Sequence, residues 1–387
     1  MTSHDPALDE ALERVVDRVR RISAELTDDA FPHWADPQTG AWRTTYTGDW
    51  TNGAWPGLLW LAARAADDPA LARAASAWSE RLTPRAEADT AFKGFTFYYG
   101  ASLGALIADD EAAGRLGTRT AVHLAGMYDE RLGLIPLGNE AQEHSDVGAT
   151  DSSIDSLQAT PLLLWAARAD GGDRLREVAL AHTRRVLANH VRPDGSIVQS
   201  SSLDPETGRV VRTFTHKGYS DDSTWARAQA WGILYTAMAA LECPEETDLL
   251  DQARRVSDWW LANVPADGVS YWDFDDPAIP DTARDTAATG IVAAGLLKLA
   301  LREPDADRAE RYRSAAERAV GSLVSDHLTP LGSDETRPPG MLVHGCFTKR
   351  SDARPQDAVT DAELIFGDYY LLECLMVLTG RVEAGDV

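Results

Sequence analysis

One unit recurs along this chain and limits what it can fold into. A very apolar segment, a short link rich in Asp, Gly or Pro, and an amphipathic segment rich in Ala, Arg and Glu follow one another repeatedly. The unit begins as PGLLWLAARAA from Pro56, then Asp67-Asp68-Pro69, then ALARAASAWSERL. It returns as GASLGALIA, Asp109-Asp110 and EAAGRLGTRTAVHLAGMYDERL, and again as PLLLWAARA, Asp170-Gly171-Gly172-Asp173 and RLREVALAHTRRVLANH. Next come WGILYTAMAALE, Cys243-Pro244-Glu245-Glu246 and TDLLDQARRVSDWWLANV, then GIVAAGLLKLALRE, Pro304-Asp305 and RAERYRSAAERAVGSLVSDH. The chain ends on YYLLECLMVL from Tyr369, for which the leading segment Leu8 to Leu26 is the missing partner.

That gives about twelve helices in six pairs. The first of each pair is apolar around most of its circumference and reads as buried on all sides. The second has one apolar stripe and a charged face, so it reads as an outer helix facing water. Asp, Gly and Pro in the links fit helix stops and N-caps. Six inner helices ringed by six outer ones make an all-α fold, an (α/α)6 barrel, over a single domain spanning 1–387. An open solenoid fits less well because the period is irregular. Two separate bundles fit less well because no Pro/Ser/Gly-rich linker divides the chain.

Composition bounds the partners. Asp plus Glu number 61 against 37 Lys plus Arg, a formal net charge of −24. That argues against binding nucleic acid or an anionic membrane, both of which need a basic face. An acidic ligand would need a local cationic pocket. Cys243, Cys346 and Cys374 lie far apart and form no CxxC pair, so neither a disulfide framework nor a zinc site is expected, and a reduced, cytoplasmic setting fits. Met1 to Glu10 lacks the apolar core of a secretory signal, and no run of about 18 apolar residues exists to span a membrane.

The links from outer helix to next inner helix are long: 28–55 and roughly 84–95, 132–154, 191–222, 265–284 and 328–367. In a closed barrel they all emerge at one end, and long loops on a rigid scaffold concentrate function. They carry Trp34, Trp42, Tyr46, Asp49, Trp50 and Trp55, then Asp151 and Asp155, then His216, Lys217, Tyr219, Asp221, Asp222, Trp225, Arg227, Gln229 and Trp231, then Asp285, and last His344, Lys349, Arg350 and Asp368. Flat aromatics beside carboxylates and amides suit a sugar, with a carboxyl to donate a proton. Most of the twelve Trp are also what helix packing requires. Asp151, Asp221 and Asp222 precede helices and fit N-caps equally well. His216 lies in a Gly-Tyr turn, where ligand and structural roles both fit. Asp155 differs. It starts an inner helix just before LQATPLLLW, so its carboxylate is expected to face the barrel interior, where desolvation raises its pKa. The nine His show no HxxxH or HExxH spacing, so no metal is expected.

Taken together, WTNGAWPGLLWLA (50–62), IDSLQATPLLLWA (154–166), DPETG (204–208), GYSDDSTWARAQAWG (218–232), YWDFDDP (271–277), RDTAATGIVAAGLLKLA (284–300) and LIFGDYYLLECL (364–375) resemble the unsaturated glucuronyl hydrolase family, glycoside hydrolase family 88, and its relatives the unsaturated rhamnogalacturonyl hydrolases. The resemblance runs almost the full chain. It implies an (α/α)6 barrel, and a glycoside hydrolase that removes a 4,5-unsaturated uronic acid from the non-reducing end of oligosaccharides left by lyases, with no metal or other cofactor. The substrate is a vinyl ether. One Asp, matched by Asp155, protonates C4 and then helps water add at C5. A second carboxylate raises the first one's pKa by like-charge repulsion.

The chain departs from that pattern in places. The family's His-Asp before Gly-Phe falls on Ala91 and Phe92 if Gly94-Phe95 is aligned, or on Ala88 and Asp89 if DTAF is aligned. Asp89 is slightly favoured, with both registers open. Gln199 stands where a His is usual, Lys217 where a Gln is usual, and Leu137 where an aromatic is usual. The expected site is therefore Asp155 and Asp89 as catalytic carboxylates, with Trp50, Trp55, His216, Lys217, Trp225, Arg227, Gln229, Trp231 and Lys349 binding substrate. Lys217 is expected to meet an acidic group, uronate or sulfate. The expected ligand is a small, acidic oligosaccharide; a monomer and a homodimer both remain open. The alternatives are a related barrel enzyme acting on a different glycoside and a non-catalytic glycan-binding relative.

Overall fold

A computed structural model describes residues 5–26, 30–46, 49–141, 147–170, 172–332, 335–353 and 357–387. Parts of the expected links 28–55, 132–154 and 328–367, and Gly171 of one short link, lie outside the described residues.

The inner helices are α2 (Ala54–Ala66), an interrupted helix made of α4 (Lys93–Phe97), a π-helical turn (Tyr98–Ser102) and α5 (Leu103–Ala108), then α7 (Ala159–Asp170), α9 (Ala226–Glu242), α11 (Thr286–Arg302) and α13 (Ile365–Leu378). The outer ones are α1 (Pro6–Glu25), α3 (Pro69–Glu80), α6 (Glu111–Gly126), α8 (Asp173–His190), α10 (Thr247–Asn263) and α12 (Ala306–Ser322). Each inner helix packs on the next, and α13 packs back on α2, so the ring closes. The outer helices pack between neighbouring inner ones, with α1 seated between α2 and α13. This is the all-α (α/α)6 barrel.

Apolarity decides which helix goes inside. Every residue of α2 from Ala54 to Ala63 is buried. Leu58, Leu59 and Leu61 are fully so, each contributing roughly 1.5–3 kcal/mol. In α3 only Leu71, Ala75, Trp78 and Ser79 are buried, a single stripe. The acidic links stop one helix and start the next. Asp67 and Asp109 adopt left-handed backbone (φ 48° and 52°) just past α2 and α5. The neighbouring Asp68 accepts from the Ala70 and Leu71 amides, and Asp110 from Ala113, capping α3 and α6.

The all-α reading left out two small sheets in the long links, all of them antiparallel pairs. β1 (Phe31–Ala35) lies between β2 (Trp42–Thr45) and β6 (Glu363–Leu364). β4 (Ser200–Leu203) lies between β3 (Ser152–Ser153) and β5 (Val210–Phe214). The second sheet matters for the site, since β3 leads directly into Asp155. Among the described residues no helix is long and apolar enough to cross a membrane.

Candidate active site

Asp155 is positioned by short-range bonds. It lies in a 3₁₀ turn, Ile154–Gln158, whose N-cap is Ser153. The Ser153 hydroxyl accepts from the Asp155 amide at 3.3 Å and donates to its carboxylate at 2.5 Å. Ser153 pairs with Ser200 across the sheet, and the Ile154 amide donates to the Gln199 carbonyl at 2.9 Å. Behind the turn, His182 Nδ1 accepts from the Ile135 amide, so Nε2 carries the proton and donates to the Ser156 carbonyl at 2.9 Å.

Gln158 staples this turn to the 91–95 segment. Its side-chain amide donates to the Ala91 carbonyl at 2.6 Å, and its side-chain oxygen accepts from the Phe95 amide at 2.9 Å. Gly94 makes that approach possible, because a Cβ there would sit 1.8 Å from the Gln158 carbonyl oxygen. The result is a narrow pocket lined by Trp50, Phe92, Phe95, Asp155, Gln199, Lys217, Trp225, Arg227, Trp231 and Phe347. Asp155 is the one carboxylate among these ten, and is 7% exposed. Trp231 stacks on Tyr235 (5.7 Å, 14°) and meets Phe95 edge-on at 4.9 Å. Below, the Tyr99, Tyr235 and Tyr370 hydroxyls bond to one another, and burial holds all three phenols protonated.

The chemistry available is one carboxyl under an aromatic wall with two cations beside it. Arg227 binds the Asp285 carboxylate and the Cys346 carbonyl through Nη1, and the Phe347 carbonyl through Nη2. Burial pushes the Asp285 carboxyl up, against the pull of Arg227 and of the Ala288 amide it caps. Lys217 Nζ stands 3.6 Å from Asp357 and 5.0 Å above the Phe347 ring.

Compared with known proteins, the chain is 34% identical over 363 residues to the unsaturated glucuronyl hydrolase of Bacillus sp. (strain GL1), covering 92% of each. The chain belongs to the unsaturated glucuronyl hydrolase family. It is also 31% identical over 380 residues to an unsaturated chondroitin disaccharide hydrolase of Streptococcus pyogenes serotype M1, covering 96% of this chain and 90% of that one. Among solved structures, the Bacillus sp. GL1 hydrolase superposes with a TM-score of 0.83 at 33% identity over 96% of both chains. An unsaturated glucuronyl hydrolase specific for heparin superposes with a TM-score of 0.86 at 25% identity, over 98% of this chain and 99% of that one. No protein-family profile matches the chain.

Within this unsaturated glucuronyl hydrolase scaffold, the structure brings Asp155, Trp50, Lys217, Trp225, Arg227 and Trp231 together. It places the other expected site residues elsewhere. Asp89 is not in the pocket. Its carboxylate accepts from the Asn139 amide at 3.0 Å and the Asn139 side chain at 2.6 Å. These bonds hold it below the usual carboxylate range, as an ionised acceptor. The Gln158 staple fixes the register so that Phe92 lines the pocket instead. Trp55 is fully buried edge-on against Trp78 at 6.2 Å, between helices. Gln229 donates to the Gly195 and Val256 carbonyls at 3.0 and 2.9 Å, tying α9 to α10. Lys349 is held outside by Thr282 at 2.6 Å and Asp276 at 3.4 Å. His216 sits behind the wall, between the Ser200 hydroxyl (3.2 Å) and the Gln199 side-chain amide (3.3 Å).

Of the other mouth acids, Asp151 accepts from Gly148 and Ser202, Asp221 closes a turn through Thr215, and Asp273 and Asp275 anchor 219–224. The site residues not expected to bind are Phe92, Phe95, Gln199 and Phe347. Gly94-Phe95 and Gln199 stood out in the sequence as pattern positions; nothing local in sequence marks Phe347.

Proposed function

We propose that this chain removes a 4,5-unsaturated uronic acid from the non-reducing end of lyase-generated oligosaccharides, with Asp155 as its proton donor. The observation that carries this reading is Asp155 standing as the one carboxylate among the described residues that line an aromatic-walled pocket, in a barrel with this ancestry. Aromatic faces receive the sugar's apolar faces, and exclusion of water strengthens each polar contact inside. The protonated carboxyl gives its proton to C4 of the vinyl ether. The positive charge that develops spreads over C5 and the ring oxygen. The carboxylate then takes a proton from water as its oxygen bonds to C5. The hemiketal opens and the aglycone leaves, so the net change is addition of one water molecule and the acid is regenerated.

In this scheme one carboxyl serves as acid and then base. The solved relatives support the ligand class: one is a hydrolase variant with dGlcA-Glc-Rha-Glc, another a variant complexed with dGlcA-GalNAc6S. A single barrel domain, acting on a small acidic oligosaccharide, fits this reading. The test is incubation with lyase-generated disaccharides while absorbance of the conjugated double bond is followed. Loss of absorbance with release of the aglycone is expected. Unchanged absorbance across glucuronyl and sulfated substrates would reject the reading.

A further inference from the structure

The reading above requires a uronate to leave water and approach Asp155. A carboxylate does that only if donors or cations replace its hydration. Two cations line the pocket, Arg227 and Lys217. Arg227 has its charge met by Asp285 and three of its five N–H donors engaged by Asp285 and two carbonyls, with both side chains of the pair at most 2% exposed. A substrate carboxylate therefore gains less from its already matched charge.

Lys217 is held differently. Its backbone is fixed from two sides: the Gln199 side-chain oxygen accepts from its amide at 3.1 Å, and the Thr348 hydroxyl donates to its carbonyl at 2.9 Å. Gln199 also carries, through its own carbonyl, the Ile154 amide next to Asp155. One residue thus sets the register between the carboxyl and the lysine. The Lys217 ammonium lies 3.6 Å from Asp357, well beyond the roughly 2.8 Å of a charge-assisted hydrogen bond. Both side chains of this pair are 13% exposed, so water reaches them.

We propose that Lys217 anchors the substrate's uronate carboxylate, and that Asp357 holds the ammonium at long range until that carboxylate takes its place. The proposal rests on the function proposed above. A carboxylate at hydrogen-bond distance gains more from the ammonium than Asp357 does at 3.6 Å, so exchange favours the substrate. The Phe347 ring beneath the ammonium keeps it directed across the pocket. A sulfate offers the same charge, so the test includes both anions.

Steady-state kinetics of wild type, Lys217→Gln, Lys217→Arg and Asp357→Asn on unsulfated and sulfated unsaturated disaccharides, at low and high salt, test this. Lys217→Gln is expected to raise KM for the unsulfated substrate about tenfold or more, with a smaller effect on kcat, and to flatten the salt dependence of kcat/KM. Lys217→Arg should recover part of the loss, and Asp357→Asn should lower KM. A KM for the unsulfated substrate that is unchanged in Lys217→Gln overturns the proposal. So does a rise confined to sulfated substrates. Calorimetric titration with the unsulfated disaccharide separates the two readings. Lys217-dependent binding without turnover in wild type would reject the proposed activity and keep the anchor. Equal binding by wild type and Lys217→Gln would reject the anchor whatever the activity.

Discussion

At the residue scale, the proposed chemistry falls on Asp155, with no second carboxylate among the described residues that line its pocket. Asp155→Asn is nearly isosteric and keeps the Ser153 contact, but it can neither give nor take the proton. Turnover should fall roughly a hundred- to ten-thousandfold with the far-ultraviolet circular dichroism unchanged; rates near wild type would remove Asp155 from the mechanism. Asp89→Asn is the matching control. Its carboxylate serves Asn139 at the rim, so the change should leave turnover alone and alter stability within about ±0.5 kcal/mol. A large loss of turnover would return Asp89 to the reaction. Asp155 was legible in sequence because its own neighbours define it: a turn opening a buried helix. The choice between Asp89 and Phe92 was not, because it is made by Gln158, more than sixty residues away.

At the element scale, the apolar helices and acidic links were legible because each is a local property. One helix is greasy all round, and one aspartate ends it while the next begins another. The links' strands were not, because β3 and β6 are two residues long and exist only through partners far along the chain. Two substitutions separate the two kinds of information. Asp110→Ala removes the cap of α6 and should cost about 1 kcal/mol in denaturant unfolding, with turnover intact; no change in unfolding midpoint would mean the cap is idle. Gly94→Ala acts on the tertiary staple. The added methyl meets the Gln158 carbonyl at 1.8 Å, so α4 and the Asp155 turn must part. A loss of roughly 1–3 kcal/mol is expected, together with loss of turnover out of proportion to it. Normal turnover in this variant would show that the pocket tolerates a different spacing between the two elements.

At the scale of the whole molecule, the site hangs from buried, neutral histidines, and this sets how far the protein can follow its own acid chemistry. His182 holds the Ser156 carbonyl behind the Asp155 turn. His190 donates from Nδ1 to the Val198 carbonyl and accepts the Ser152 hydroxyl at Nε2, joining α8 to β3. Burial lowers both to about 4 from an ordinary 6.5. At the far side of the mouth, a hydrogen bond of 2.7 Å joins Nδ1 of His327 to Nδ1 of His344, and burial lowers His327 to about 4 as well. Between about pH 6.5 and these folded values, the unfolded chain binds protons that the folded one refuses. Stability is therefore fully present above about pH 6.5 and declines as pH falls through that window, by roughly 3 kcal/mol for each of His182 and His190 and by less for the partly exposed His327. The native carboxylates that are held low, such as Asp276 at about 2, lose their contribution only further down. Protonating Asp155 favours the proton transfer, while protonating His182 or His190 breaks the bonds that place it. The melting temperature should thus begin to fall below about pH 6.5, while the folded protein keeps its activity until the pH nears about 4, where His182 and His190 themselves take up protons. Thermal melts and initial rates measured across that range check this, alongside imidazole resonances of His182 and His190. A flat melting temperature, or either imidazole titrating near its ordinary value, would show that these histidines do not support the site.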